Sequence, residues 1–318
     1  MCLGTQNHDQ LLDKFNKDSF EKLTLMRNLA KEMFGDRSDF IIGVNGSLAR
    51  REYTSGSDVD LFFLVLNQEI DPIKEKQNDF RSRLCDIGIK MPASGGVFEE
   101  PLPSNDMLAT IGGNDDTNIF ITRRLLFLLE GDWIFNKESF DLTRKLLIER
   151  YVDEGIEDKK ICLFLLNDII RYWRTICVDY EYKVYGGGKA KAIRLIKLRF
   201  SRMLLYFAGV VAVGETKDLS YKDKRDKLNL LLSEPPIERL RSVIGDDFIL
   251  PLQLYAEFLT ALDDPEIRSQ LDQVGDEGLS TEQYLLLSEK ARSFKNTLLH
   301  ILLTKLGTAH PVIKALLL

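Results

Sequence analysis

The sequence predicts an α+β fold, with strands confined to the first half of the chain and an all-α helical bundle in the second half. Two short apolar runs, near residues 40–44 and 58–66, flank a turn of small residues, which is the pattern of two buried strands. From residue 157 onward, apolar positions recur at threes and fours without alternation, as in amphipathic helices. Short loops rich in Gly, Pro or Asp separate these segments, and such loops favour an antiparallel bundle.

The other predicted elements are helices that accompany the two strands. Residues 9–34 have apolar side chains at helical spacing and predict one or two helices that end at Gly35. Further helices are predicted at residues 71–84, 117–131 and 138–150, and a short third strand is a candidate at residues 95–98. We divide the chain into N-terminal helices (residues 1–36), a strand-containing domain (residues 37–152) and a helical bundle domain (residues 153–318).

The composition is that of an ordinary globular protein, with 44% hydrophobic and 29% charged residues in a chain of 318. No apolar run approaches the roughly twenty residues that span a bilayer, and the N-terminal sequence has no basic-then-apolar signal character. We therefore expect a cytoplasmic protein without a membrane partner. The net charge of −6 argues weakly against a bulk nucleic-acid binder, because affinity for phosphate backbones depends on basic surface.

Cysteine and histidine residues do not suggest a site in this sequence. The four cysteines, Cys2, Cys85, Cys162 and Cys177, are scattered without metal or disulfide spacing. The three histidines lie far in sequence from the strand-turn-strand stretch. Catalysis by histidine is therefore not expected.

Two aspartates at the second predicted strand are the first candidate functional residues. Asp58 and Asp60 are separated only by Val59, and alternate residues of a strand point to the same face. Two neighbouring carboxylates repel each other unless a positive charge lies between them. Oxygen ligands of this kind favour a divalent cation, Mg²⁺ or Mn²⁺.

The turn after the first strand supplies the second half of the predicted site. Gly46 allows the backbone to approach a ligand closely, and Ser47 offers a hydroxyl group and an amide at a predicted helix start. Such groups favour phosphate. Gly46 and Ser47 are therefore candidate nucleotide-binding residues.

The combined pattern, a Gly46-Ser47 turn followed about ten residues later by Asp58-x-Asp60 on the next strand, resembles the signature of the polymerase-beta-like nucleotidyltransferases. Arg50, Glu52 and residues 57–61 look most like the nitrogen-regulatory (PII) uridylyltransferase branch and its bacterial relatives. The resemblance is strong over roughly thirty residues and weaker as far as residue 131.

This resemblance implies a small mixed nucleotidyltransferase sheet flanked by helices. It also implies transfer of a nucleoside monophosphate from a nucleoside triphosphate to an acceptor hydroxyl, with Mg²⁺ or Mn²⁺ and release of pyrophosphate. In that superfamily a third carboxylate completes the metal site, and Glu99, after the candidate strand at residues 95–98, is our choice for it. Asp115 and Asp116 stand at a helix start and are interpreted as caps. A site without a third ligand stays open.

Basic residues supply two further alternatives. Arg50 is a candidate phosphate clamp, and pairing with Glu52 or with the sheet is its other interpretation. Between residues 171 and 202 there are nine basic residues against two acidic ones, and on a helix Lys191, Arg194 and Arg202 share a face. Lys191 and Arg194 are therefore candidates for binding the nucleotide phosphates, while a solvated basic face is the alternative.

The acceptor is the least defined part of the predicted reaction. A protein side chain or a small molecule is favoured over RNA, because the chain is acidic overall. An RNA 3′ end nucleotidyltransferase and a regulatory module that binds nucleotide without transferring it are the alternative functions.

Overall fold

A computed structural model of the protein describes residues 3–66, 70–92, 96–109, 111–185 and 189–317. Its elements are mainly helices, accompanied by one small sheet. The first half contains, in chain order, α1 (Leu3–Phe34), β1 (Phe40–Asn45), α2 (Gly46–Ala49), β2 (Asp60–Val65), α3 (Asp71–Asp86), β3 (Leu102–Pro103), α4 (Ser104–Ala109), α5 (Asn118–Glu130), β4 (Asp132–Phe135) and α6 (Lys137–Tyr151).

The second half is helical throughout its described residues, apart from loops and an isolated bridge between Ala190 and Gly275. Its helices are α7 (Leu163–Tyr185), α8 (Lys191–Lys197), α9 (Met203–Gly214), α10 (Tyr221–Ser233), α11 (Pro236–Ile244), α12 (Ile249–Asp263), α13 (Pro265–Leu271), α14 (Glu282–Leu306) and α15 (Pro311–Leu317). A π-helical turn (Leu198–Arg202) joins α8 to α9, and 3₁₀ turns occupy Gly245–Phe248 and Glu277–Ser280.

The sheet has four strands in the order β3-β2-β1-β4 and is mixed, which confirms the expected small mixed sheet. β1 is antiparallel to both β2 and β4, whereas β3 runs parallel to β2. Asn45 lies opposite Asp60 in the β1–β2 register. Side chains of directly opposed residues share a face of the sheet, so the ends of β1 and β2 present Asn45 and Asp60 side by side.

Both faces of the sheet are buried. Phe40, Ile42 and Val44 pack with α1 and α3, while Ile41 packs on the opposite face in the main core, which includes α5. Gly43 is needed on this second face, because a Cβ there would lie 2.1 Å from the ring of Phe62 on the neighbouring strand. The glycine thus lets an aromatic ring lie across β1 and fixes how closely α5 can approach the sheet.

The helices predicted at 71–84, 117–131 and 138–150 agree with the structure within two residues at each end, whereas α4 is not among the predicted elements. α1 is one helix that begins six residues before the predicted start and ends before Gly35, whose φ is +62°. The strand predictions need three corrections. β2 begins at Asp60, so Asp58 precedes the strand rather than lying in it. The strand suggested at 95–98 is wrong, because residues 97 and 98 form a turn and the strand lies at β3; residue 95 is outside the described part. β4 is not among the predicted elements.

One apolar core contains side chains from both halves of the chain. Gly209 of α9 packs closely against this core, because a Cβ there would meet Leu129 of α5 at 3.0 Å and Ile169 of α7 at 3.2 Å. The boundaries proposed after residues 36 and 152, and the assignment of the second half as a bundle domain, stay predictions. None of the helices in the described part of the chain has the length and apolar character that crossing a membrane requires.

A buried ionic cluster joins α5 to α7. Arg124 is fully buried, donates hydrogen bonds to Asp116 at 2.8 and 2.9 Å, and donates a third to Asp168 of α7 at 2.9 Å. Tyr151 donates to the same Asp168 oxygen at 2.6 Å, and Arg171 reaches both aspartates from the exposed side. The interpretation of Asp116 as a helix cap is therefore wrong, since its carboxylate pairs with arginines.

Candidate functional site

Two adjoining cavities meet at Asp60. The first, which we call the serine cavity, has a volume of about 110 Å³ and is lined by Ser47, Ser57, Asp58, Lys197, Arg202 and Arg268, among others. The second, the tyrosine cavity, has a volume of about 470 Å³ and is lined by Asn45, Phe98, Tyr172, Tyr180 and Arg194, among others. Asp60, Lys197 and Arg202 line both cavities. The two cavities thus lie on either side of these three residues, and we call the pair of cavities the cleft.

The two predicted aspartates lie together in this cleft. Asp58 and Asp60 are exposed, whereas Val59 between them is fully buried, so the segment alternates as an extended chain does even though only Asp60 belongs to β2. The pKa of Asp60 is raised to about 6, first because surrounding protein displaces water from the carboxyl and second because of the charge of Asp58. The pair thus carries more negative charge than its surroundings neutralise, which is the electrostatic setting that a divalent cation relieves.

Gly46 is required by the geometry of the cleft. Its φ is +76°, and a Cβ at this position would lie 2.7 Å from Oδ2 of Asp60. Its backbone amide donates to Oε1 of the buried Glu130 at 3.1 Å. That bond occupies the Gly46 amide, whereas Ser47 lines the serine cavity.

Arg50 lies behind the turn in a buried network. It pairs with Glu52 and with Glu130, and the hydroxyl of Tyr255 on α12 donates to Glu52. Burial raises the pKa of Glu52, with the nearby Arg50 opposing it. Of the two interpretations of Arg50, pairing with Glu52 is the one that occurs, although the residue also borders the serine cavity.

Glu130 connects this network to the second half of the chain. Arg202, at the end of the π-helical turn, donates to Oε1 of Glu130 at 3.2 Å and lies 3.4 Å from the hydroxyl of Tyr172. Burial alone would raise the pKa of Glu130, but the guanidinium groups of Arg50 and Arg202 outweigh it and hold that pKa below its ordinary value. Glu130 is therefore an ionised anchor shared by the Gly46 turn and the two arginines.

The basic stretch between residues 171 and 202 is divided between the cleft and other contacts. Arg194, Lys197 and Arg202 line the cleft. Lys191 instead pairs with Asp276 at 2.6 Å, and Arg199 donates to Ser288 at 2.6 Å. Only some of the basic side chains of this stretch therefore lie at the cleft, on the side of α8 and the π-helical turn that faces β2.

Lys197 is the most perturbed of these cations. Its pKa is lowered to about 8, first because surrounding protein atoms displace water from the ammonium group and second because of the positive charge of Arg268, while Asp58 opposes the shift. An anion in the serine cavity would raise this pKa again, because its charge would offset that of Arg268.

Glu99 borders the tyrosine cavity but not the serine cavity. It lies in the bend before β3, where its charge acts on Arg81, and the carboxylates that raise the pKa of Asp60 are Asp58 and Glu130 instead. Among the described residues no group of three His, Cys, Asp or Glu side chains is arranged to hold a metal ion. Two carboxylates together with phosphate oxygens from a substrate are nevertheless a common Mg²⁺ environment.

No family model matches the chain, and no curated protein matches its sequence. The resemblance to polymerase-beta-like nucleotidyltransferases therefore rests on the Gly46-Ser47 turn and on Asp58 and Asp60. These four residues do border one cleft, as the resemblance implies.

Glu130 and the tyrosine cavity are not expected from the sequence. Glu130 ends a helix whose preceding five residues, Leu125 to Leu129, are all buried, and a carboxylate that continues such a run is a sign of an internal ionic partner. The tyrosine cavity combines residues from seven separate segments of the chain, so no local sequence pattern predicts it.

Proposed function

We propose that this chain is a metal-dependent nucleotidyltransferase, which moves a nucleoside monophosphate from a nucleoside triphosphate to an acceptor hydroxyl and releases pyrophosphate. The observation that carries the proposal is the position of Asp60, which lines both a small cationic cavity, where Asp58 lies beside it, and a larger cavity with aromatic walls. The two parts of a nucleoside triphosphate match these two cavities, because the triphosphate is compact and anionic whereas the nucleoside is bulky and partly apolar.

The serine cavity suits the β and γ phosphates. Ser47 and Ser57 provide hydroxyl donors there, and Lys197, Arg202 and Arg268 provide positive charge. The α phosphate would then lie at Asp58 and Asp60, and the nucleoside would extend into the tyrosine cavity, whose volume of about 470 Å³ is that of a typical small-molecule site.

Asp58 and Asp60 fit a divalent cation, because both are exposed carboxylates and the raised pKa of Asp60 reflects in part a repulsion that a cation would remove. Mg²⁺ or Mn²⁺ bound there would neutralise charge on the phosphates during transfer. Lys197 and Arg268 lie where the leaving pyrophosphate accumulates negative charge, and Ser47 orients the phosphate chain. The Glu130 network keeps Gly46 in the conformation that leaves room for the Asp60 carboxylate.

The acceptor is proposed to be a protein side chain or a small molecule. Of the basic stretch, Lys183 is paired with Asp179 at the wall of the tyrosine cavity, while Lys191 and Arg199 are paired outside the cleft. A track for an RNA backbone requires a continuous basic surface, which these pairings do not supply.

Nucleotide binding without transfer is the second candidate function, and one observation favours it. Glu99 lies beside Arg81, and Glu130 is committed to Arg50, Arg202 and the Gly46 amide. Glu130 is therefore already paired, and Glu99 does not border the serine cavity that Asp58 lines.

The direct test measures pyrophosphate release from each of the four ribonucleoside triphosphates with Mg²⁺ and cell lysate as the acceptor source, alongside transfer of label from α-labelled substrate. Asp58→Asn should abolish both signals, whereas the matched variant Asp79→Asn, on the exposed face of α3, should keep them. Normal transfer by Asp58→Asn would refute the mechanism. Nucleotide binding by the wild type without release of pyrophosphate from any triphosphate would favour the binding module.

A further inference from the structure

The side chain of Asn45 is buried in the cleft without a hydrogen-bond partner. Asn45 is 3% exposed, and neither its amide nitrogen nor its amide oxygen has a partner among the described residues. Buried amides are almost always paired, because an unmade hydrogen bond inside a protein costs the full desolvation of the group. An unpaired donor and acceptor on one buried side chain therefore point to a ligand.

The side-chain amide of Asn45 does not stabilise the local structure. Asn45 occupies the N-cap position of α2, but its side chain makes no capping hydrogen bond. It lines the tyrosine cavity together with Asp60, its partner across β1 and β2, and with Glu130. Asn45 thus borders the part of the tyrosine cavity that adjoins Asp60 and Glu130.

The groups around the Asn45 amide restrict the kind of ligand that can bind to it. An occupant must both donate and accept a hydrogen bond in order to satisfy the amide oxygen and the amide nitrogen. Phosphate oxygens only accept, so a phosphate would pair with the amide nitrogen and leave the amide oxygen without a partner. A neutral hydroxyl group does both, and it tolerates neighbouring carboxylates because it can donate to them as well.

Resting on the proposed nucleotidyl transfer, we infer that Asn45 is a specificity-determining residue that binds the hydroxyl edge of the ribose of the nucleoside triphosphate. The sugar is the part of the nucleotide attached to the α phosphate, so it comes next to Asp60 when that phosphate lies at the aspartates. The base suits the more distant walls, which include Val97 and Tyr180. The acceptor hydroxyl fits less well, because it gives up its proton during transfer.

The inference is tested by equilibrium binding of the four ribonucleoside triphosphates and their 2′,3′-dideoxy counterparts in Mg²⁺, by calorimetry. The wild type should bind its best ribonucleotide at least about tenfold more tightly than the dideoxy form, because only the ribose hydroxyl groups would pair with the buried amide of Asn45. Asn45→Ala should bind both forms with nearly equal affinity, and that affinity should match the wild-type value for the dideoxy form. Asn45→Ser, which keeps one hydroxyl, should retain part of the preference.

Asn136→Ala is the matched control. Asn136 lies beside the other end of β1, and its amide is already paired with the carbonyl of Phe40 at 3.2 Å. Its loss should lower stability and leave the preference for ribose unchanged. A wild type that binds both sugars equally, or an Asn45→Ala protein that keeps the full preference, would overturn the inference while leaving nucleotide binding intact. A wild type that binds no triphosphate would overturn both the inference and the proposed function.

Discussion

The backbone amide of Gly46 donates a hydrogen bond to Oε1 of Glu130 at 3.1 Å, and the two residues are 84 positions apart. Gly46 begins the turn that faces Asp60, whereas Glu130 is the last residue of α5. The same carboxylate forms ion pairs with Arg50 and Arg202. One buried charge therefore connects the Gly46 turn, the sheet and the π-helical turn.

Replacing Glu130 with Gln should destabilise the protein by roughly 3 kcal/mol, because Arg50 and Arg202 would lose a buried countercharge. Urea unfolding measures the change. Glu100→Gln is the control, since Glu100 pairs with Lys74 at the surface and its loss should cost less than about 1 kcal/mol. Equal effects of the two substitutions would show that the Glu130 network does not stabilise the fold.

Gly46→Ala should abolish nucleotide transfer. Alanine at a φ of +76° costs roughly 1–2 kcal/mol, and its Cβ would also lie 2.7 Å from the Asp60 carboxylate. Gly88→Ala separates the two effects, because Gly88 has a φ of +80° and a methyl group added there would have no atom within 4 Å. Both variants should lose similar stability in thermal unfolding, but only Gly46→Ala should lose pyrophosphate release. Retained activity in Gly46→Ala would contradict the tight contact with Asp60.

The metal-free protein should become less stable as pH rises through about 6, in part because of Asp60. Its carboxyl has a pKa of about 6 against an ordinary value of 3.8, so the folded state binds its proton more tightly than the unfolded state does. The stabilising contribution is complete below pH 3.8 and is lost as pH rises through 6. Asp60→Asn should therefore stabilise the metal-free protein at pH 8, by less than about 1 kcal/mol since the residue is partly exposed.

Thermal unfolding at pH 4 and pH 8, with and without Mg²⁺, measures this dependence. The gain from Asp60→Asn should be present at pH 8, absent at pH 4 and reversed by Mg²⁺ at pH 8, because only the wild type binds the ion there. The same loss of stability in Asp60→Asn at both pH values would refute the electrostatic explanation.

Arg124→Met should destabilise the protein by roughly 3–5 kcal/mol, because it leaves Asp116 and Asp168 buried without their main countercharge. Arg171 contacts the same two aspartates but is 42% exposed, so Arg171→Met should cost about 1 kcal/mol or less. Denaturant unfolding of both variants gives the comparison. A small effect of Arg124→Met would mean that the ionic cluster is not what joins α5 to α7.

The sequence predicts well where the signal is local. The β1 strand, the Gly46-Ser47 turn and the pair Asp58 and Asp60 lie within 21 consecutive residues, and each is recognisable from residue type and spacing alone. The helices α3, α5 and α6 are predictable to within two residues for the same reason, because their apolar periodicity is a local property. The residues expected to hold the phosphates and the metal include four that border one cleft, Gly46, Ser47, Asp58 and Asp60.

The remaining features depend on contacts between distant residues. β4 has four residues directly after a helix, too few for an alternating pattern, and it exists because it pairs with β1. Asp116 is expected from the sequence to cap α5, but Thr117 occupies the N-cap position and the carboxylate of Asp116 pairs with the buried Arg124. Lys191 and Arg194 share a helix face by their spacing in the sequence. Arg194 borders the tyrosine cavity, whereas Lys191 forms an ion pair with Asp276 outside it.

The cleft between β2 and the π-helical turn has two walls that come from distant parts of the sequence. Asp60 and Ser47 belong to the first wall, and Lys197 and Arg202 belong to the second. A ligand that touches both walls acts as a bridge between the two halves of the chain, and its binding free energy adds to the stability of their docked arrangement. Occupancy of the cleft is thus coupled to the integrity of the whole molecule, and a fragment that ends before α7 would keep both aspartates but not a complete binding site.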